Sequence, residues 1–180
     1  MPGKFLNEET KQKMQTHRRF RKTAVSVIRA WAIFLVVATI ILLNLFTHVF
    51  QIVHYSGNAM EPNLSNGQIL LLRKTQDVEE GDIIAFYYNN QVLVRRAICG
   101  SGKQVSVSED GTVLINNQPI EERYLTDKSI GQCNIEFPYP VQDNGFFVMG
   151  DNRVIAMDSR LKEIGVVYKD RIIGKVLFAI

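Results

Sequence analysis

The longest pattern in the chain is the absence of one. From Ala30 to Phe50 the residues read AWAIFLVVATIILLNLFTHVF, with no Asp, Glu, Lys or Arg among them. About 20 such residues wound into a helix match the hydrocarbon thickness of a bilayer. The run therefore predicts a transmembrane helix over residues 30–50. Ala24–Ile28 can extend it, with Arg29 reaching toward the headgroups. A core helix of a small soluble domain is rarely apolar all round. A cleavable leader would have a shorter apolar stretch, about 7–15 residues, ending in a small-x-small site. This one ends in Phe46, Val49 and Phe50, so an uncleaved anchor is the reading.

Past residue 60 the periodicity changes. Apolar residues alternate with polar ones, the period of half-buried strands. Strands are predicted at Gln68–Lys74, Asp82–Tyr88, Val92–Ile98, Gln104–Ser108, Thr112–Asn116, Gly145–Met149, Gly165–Tyr168 and Ile172–Ile180. Asn89-Asn90 is a good hairpin turn, and Glu109-Asp110-Gly111 joins the next pair. A turn is expected near 158–164, and residues 5–29 are expected to be helical. Residues 117–144 are loop-rich and hold three of the five prolines. The fold class is mainly β, an antiparallel β-sheet body with one N-terminal transmembrane helix. Three regions follow: a basic tail (1–29), the anchor (30–50) and a β domain (51–180) carrying an insertion or subdomain over about 99–144. Apolar outer strands next to the anchor would favour a body that rests on the membrane.

Charge then sets direction. The net charge of +3 conceals eight Lys/Arg against two Glu in residues 1–29 and 13 against 16 Asp/Glu in the other 151. A basic tail fits nucleic acid or an anionic membrane face, and the adjoining anchor decides for the membrane. Positive charge stays on the cytoplasmic side. The expectation is a single-pass plasma-membrane protein with a cytoplasmic N-terminus, an extracellular main domain, the lipid bilayer as a partner and no nucleic acid. Cys99 and Cys133 are expected to be buried free thiols, although an oxidising exterior leaves a bridge open. His17, His48 and His54 show no ligand spacing to Cys or carboxylates, so no metal and no cofactor is expected. Glu121-Glu122-Arg123 has the composition of a solvated face.

The stretches SGNAMEPNL (56–64), GDIIAF, VLVRRAI, INNQPI and GDNRVIAMDSR (150–160) resemble, in matching order, the motifs of the type I signal peptidase family, Gram-positive type. The resemblance covers the anchor and almost the whole outer domain. It implies the signal-peptidase-like β fold of a serine-type endopeptidase family, whose members cut signal peptides from exported proteins with a Ser nucleophile and a Lys base. Gly57, Met60, Pro62 and Leu64 match the first motif, but the nucleophile position is Ala59, whose methyl group cannot attack a carbonyl. Arg96 matches the family arginine, but the base position is Arg95. A guanidinium holds its proton far above neutral pH and cannot act as a base. Gly150, Asp151, Asn152, Arg153, Asp158, Ser159 and Arg160 match the last motif as its structural frame, while the supporting hydroxyl falls on Ala156. The family's G-x-P-G-D appears as Cys99-Gly100-Ser101-Gly102-Lys103, with only Gly102 in place.

The resemblance thus implies a degenerate member, a pseudoenzyme with no catalytic residues. It would keep a peptide cleft of Gly57, Asn58, Met60, Glu61 and Pro62 that holds or guides secreted or membrane-tethered clients. Degenerate Gram-positive members are associated with surface pilus assembly beside sortases, which would make pilins and a sortase the partners. Arg95 is placed to favour a client carboxylate or to pair with Glu61. Asp151 and Arg153 are expected to pair, as are Asp158 and Arg160. Two alternatives stand beside this reading. One is a signal peptidase with a relocated dyad, such as Ser56 with His54, which lie on one side of an extended strand, or one built on Ser65. The other is a structural partner of a membrane assembly complex.

Overall fold

A computed structural model describes residues 8–180 of the chain. It divides between residues 47 and 48 into a helix and a β body. Helix α1 runs Glu8–Val49 without a break, so the basic segment from residue 8 onward and the apolar run form one continuous helix. Residues 5–7 of the predicted helical segment lie outside the described residues. The part long and apolar enough to cross a membrane is Val25–Val49, with mean hydropathy 2.4. Phe50, assigned to the anchor by composition, instead opens the first strand, β1 (Phe50–His54). β-branched and aromatic residues at alternate positions suit a pleated, half-buried surface, and Phe50, Ile52 and His54 share one face of it.

Ten further strands follow. β2 (Ile69–Arg73), β3 (Ile83–Tyr88) and β4 (Gln91–Gly100) precede β5 (Gln104–Val107), β6 (Val113–Ile115), β7 (Gln118–Pro119) and β8 (Tyr139–Pro140). β9 (Gly145–Met149), β10 (Val167–Tyr168) and β11 (Ile172–Ala179) complete the body. Seven of them form one antiparallel sheet in the order β1-β2-β11-β3-β4-β9-β10. The other four form a second sheet, β7-β6-β5-β8. The predicted strands are present, shortened or lengthened by a residue or two at their ends. β1 was not read as a strand, because its apolar residues merge with those of the helix before it. The expected insertion is the second sheet, and it starts later than 99, since β4 continues to Gly100 in the first sheet. Residues 158–164 form turns with no helix.

Asn89 and Asn90 take φ of 45° and 60°, the paired positive values of a two-residue hairpin turn, which Asn tolerates. This turn fixes the β3–β4 register, setting Ile84 opposite Arg95, Ala85 opposite Val94 and Ile83 opposite Arg96. A bulge in β4 between Ala97 and Cys99 shifts which residues face which layer. Ile98, Cys99, Phe147 and Met149 therefore join Val105, Val107 and Val113 of the second sheet in one core cluster. A separate cluster packs Tyr55, Met60, Leu64, Leu70, Leu72, Ala85 and Val94. Fully burying a side chain such as Met60 or Leu64 contributes about 1.5–3 kcal/mol. The SGNAMEPNL loop is thus pinned to the sheet by two of its own residues.

Candidate functional site

The loop between β1 and β2 is held by short local bonds. Gly57 N–H donates to Asn66 Oδ1 (2.9 Å), Glu61 N–H to Asn58 O (3.2 Å) and Leu64 N–H to Met60 O (2.9 Å). Gly57 has φ +114°, a conformation open to glycine and strained for other residues. Met60 N–H donates to the Tyr55 hydroxyl (3.0 Å). Burial pushes the Tyr55 phenol up, against the opposing pull of the Met60 N–H and of the Arg95 charge.

Three segments meet at position 59. Asn152 N–H donates to Ala59 O (3.0 Å), and Ala156 N–H donates to Asn152 O (3.1 Å). Gly150 makes the approach fit: a Cβ there would lie 2.3 Å from the Ala156 methyl and 2.6 Å from Ala59 O. Arg95 reaches the same turn, its Nε donating to Met157 O (2.8 Å) and its Nη1 to Val94 O (2.6 Å). Ala59 and Ala156 thus lie on either side of Gly150, and Arg95 bonds the residue next to Ala156. These are the positions that the resemblance assigns to nucleophile, supporting hydroxyl and base, and they carry a methyl, a methyl and a guanidinium. Arg95 is 5% exposed. Burial pulls its pKa down, and the Asp158 charge opposes that shift. The expectation that Arg95 pairs with Glu61 is corrected: among the described residues no bond or ion pair joins them. The guanidinium is buried, donates from Nε and Nη1 to main-chain carbonyls, and the carboxylate acting on it is Asp158.

The last motif is a set of buried ion pairs. Asp158 and Arg160 are both fully buried and pair through two bonds, Nε to Oδ1 (2.8 Å) and Nη2 to Oδ2 (2.7 Å). Asp158 also accepts from Gly150 N–H (2.9 Å), and Arg160 Nη1 donates to Ile130 O (2.7 Å). Ser159 Oγ accepts from Val148 N–H (2.9 Å). The expected Asp151–Arg153 pair does not form. Asp151 binds Arg96 through Nε (2.8 Å) and Nη2 (2.5 Å), and accepts from Asn63 Nδ2 (2.8 Å). Arg153 instead pairs with Glu122. Glu122 is 7% exposed, so it leaves the predicted solvated face; only Glu121 and Arg123 remain on it, paired at 2.8 Å.

Spacing gave no sign of this network. Glu122 lies 31 residues from Arg153 in the chain, and no periodicity marks its side chain as buried. Tyr124 was missed as well. Its hydroxyl donates to Glu122 Oε1 (2.5 Å), its ring lies 4.0 Å from the Arg96 guanidinium carbon, and its carbonyl accepts from Asn63 Nδ2 (2.8 Å). Burial, then the Glu122 carboxylate, raise the Tyr124 pKa. Through this network the segment after β7 becomes one wall of a cleft of about 260 Å³, lined by Glu61, Pro62, Thr126, Asp127, Asp151, Asn152, Arg153 and Val154. Of the residues predicted for a peptide cleft, Glu61 and Pro62 line it. Gly57 and Asn58 stand exposed on the loop beside it, and Met60 is fully buried in the core.

His54 and Ser56 are both exposed, and among the described residues no hydrogen bond joins them; Ser65 lends only its backbone, N–H to Gln68 Oε1 (2.8 Å). Cys99 and Cys133 are free, the first buried and the second only partly so. Among the described residues no three of His, Cys, Asp and Glu gather as a metal site.

A family model described as "Signal peptidase, peptidase S26" matches residues 28–180. Signal peptidase I T of Bacillus subtilis is 28% identical over 94% of this chain and 93% of its own length. Signal peptidase I of Bacillus licheniformis is 30% identical over 82% of this chain and 86% of its own. A solved signal peptidase I from Enterococcus faecalis is 29% identical, covering 57% of this chain and 97% of the solved one, with a TM-score of 0.48.

Proposed function

The chain belongs to the signal peptidase family, peptidase S26, and from that premise we propose that it is a member without peptidase chemistry, a membrane-anchored module that holds secreted or membrane-tethered clients. One observation carries the reading. The frame that would position a dyad is intact around Ala59, yet Arg95 is buried and bonded to the carbonyls of Met157 and Val94. No group at 59 can attack, and none at 95 can take up a proton. The cleft beside them offers Glu61, Pro62 and Thr126–Asp127 as walls, a surface of mixed polarity that an extended peptide could line.

Helix α1 anchors the module, with the N-terminus cytoplasmic and the β body on the outer face. The exposed apolar face at the β1 edge of the large sheet supports a body resting on the bilayer. In one row Ile52 stands opposite Leu71, which stands opposite Phe178. In the next, Ile69 bonds Ile180 through both backbone groups. Ile52 and Phe178 are 63% and 66% exposed, in keeping with an interfacial surface. Among clients, pilins assembled beside a sortase are the class we favour.

The test is a purified full-length chain in detergent, mixed with a preprotein substrate and separately with an uncleavable signal-peptide analogue. Binding without turnover is the expected result. Turnover lost on replacing Ser56 or His54 would overturn the reading in favour of an enzyme. Substitutions at Glu61 and Asp127 should weaken capture. Capture that ignores both would leave the cleft without a role and favour a purely structural partner.

A further inference from the structure

The membrane helix carries a pattern that anchoring does not require. Taking Arg29 as the end near the headgroups, residues 30–49 form 20 helical residues, about 30 Å, the thickness of the hydrocarbon core. Asn44 then lies about 8 Å inside the other boundary. The span's hydroxyls at Thr39 and Thr47 donate to carbonyls of their own helix, Leu35 O (2.8 Å) and Asn44 O (3.0 Å). Among the described residues the Asn44 side-chain amide makes no hydrogen bond. Lipid offers it no partner, and polar groups at such depth point to another helix.

Asn44 also sits on a distinctive face. At heptad spacing it shares the a and d positions with Ala30, Ile33, Val37, Ile40 and Thr47, all exposed on the single helix. Every one is small or β-branched. The bulky residues Trp31, Phe34, Leu35, Leu42, Leu43, Leu45 and Phe46 fall on other positions. β-branched side chains are already fixed in a helix, and such a seam with a single Asn at an a position specifies one register.

We propose that α1 pairs in the membrane with α1 of a second copy of this chain, parallel, across the face Ala30–Ile33–Val37–Ile40–Asn44–Thr47. A carboxamide both donates and accepts, so two Asn44 side chains facing each other across a two-fold axis satisfy each other. Two copies inserted with the same topology place this amide at the same depth, and any other partner would need its own polar group there. The inference rests on the anchoring of the helix and is independent of the cleft.

The test measures energy transfer between donor- and acceptor-labelled full-length chains in phosphatidylcholine–phosphatidylglycerol vesicles at rising protein-to-lipid ratio. Saturable transfer is expected for the wild type. Asn44→Leu should weaken association roughly ten-fold, with unchanged thermal unfolding of the β body. Asn44→Gln should retain association. An amide moved off the seam, Asn44→Leu with Leu45→Asn, should not restore it. Wild-type chains that stay monomeric at every density overturn the proposal. So does association that Asn44→Leu leaves unchanged, or a helix that pairs only with another membrane protein. Alkaline extraction of the same vesicles shows independently whether the helix is inserted.

Discussion

Restoring the two reacting groups, by Ala59→Ser with Arg95→Lys, should not restore a working peptidase. Arg95 donates to Met157 O and Val94 O, and lysine, with a single terminal nitrogen on a shorter reach, cannot serve both. Each carbonyl left unpaired in this buried region costs about 1–3 kcal/mol. The 156–158 turn is then held less firmly just where Ala156 approaches Ala59. A lysine there must also lose its proton to act as a base. Burial would push its pKa down and so help, but Asp158 faces the same position and pushes it up. Ala156 supplies no hydroxyl to orient the amine. General-base catalysis contributes about 10²–10⁴-fold, and with the base misoriented most of that factor should be missing. The assay is cleavage of a preprotein by the detergent-solubilised double variant, beside the triple variant that adds Ala156→Ser. The expected order is no measurable turnover for the wild type, little for the double and more for the triple. Because the base acts unprotonated, any recovered rate should climb with pH until the lysine is deprotonated. A double variant that works as fast as the triple would refute the reasoning.

Four further outcomes follow from the packing. Met60→Ala removes a fully buried side chain and should destabilise the body by about 2–5 kcal/mol in urea titration, with no new cavity opening onto the cleft. Glu122→Gln leaves Arg153 buried without its counter-charge, so a loss of about 3–5 kcal/mol is expected, read as a fall in unfolding midpoint. The Cys99 thiol is pushed up to about 11 by burial. At pH 8 only about one thiol in a thousand is then ionised, so iodoacetamide should label Cys133 first, as peptide mapping would show. Replacing Ile52 and Phe178 together by Glu should speed amide exchange across β1 and β11 in lipid nanodiscs while leaving it unchanged in detergent; equal effects in both would argue against contact with the bilayer.

The strands were legible because their alternation is local, and the Asn89-Asn90 turn because its chemistry is. β1 was hidden by composition: Phe50, Ile52 and Val53 continue the apolar run of the helix, and only pairing with β2 shows where helix gives way to strand. The motifs named positions 59, 95 and 156 one by one, and whether they lie near one another could not be read from them. What the motifs could not give was where each side chain points. Met60 faces the core and not the cleft. Asp151 chooses Arg96 over its near neighbour Arg153, and Arg153 takes Glu122. Each choice is made between segments far apart in the chain, where sequence spacing carries no information about distance.

That geometry also explains why so much of the motif serves the fold. Asp158 and Arg160 neutralise each other at zero exposure while bonding Gly150 N–H and Ile130 O. Removing either would strand a buried charge, at a cost far above that of a surface pair. Arg96 and Asp151 tie β4 to the loop after β9 and, through Asn63 and Tyr124, to the segment after β7. Gly150 is demanded because a Cβ there would lie 2.3 Å from the Ala156 methyl and 2.6 Å from Ala59 O. Ala59, Arg95 and Ala156 are the exceptions: a methyl at 59 or 156 leaves nothing unpaired, and a guanidinium at 95 finds two carbonyls. The matched residues therefore report on folding, and their presence is no evidence for catalysis. In the function proposed above, the reading turns on the identities at 59 and 95, where a methyl offers no nucleophile and a guanidinium holds its proton.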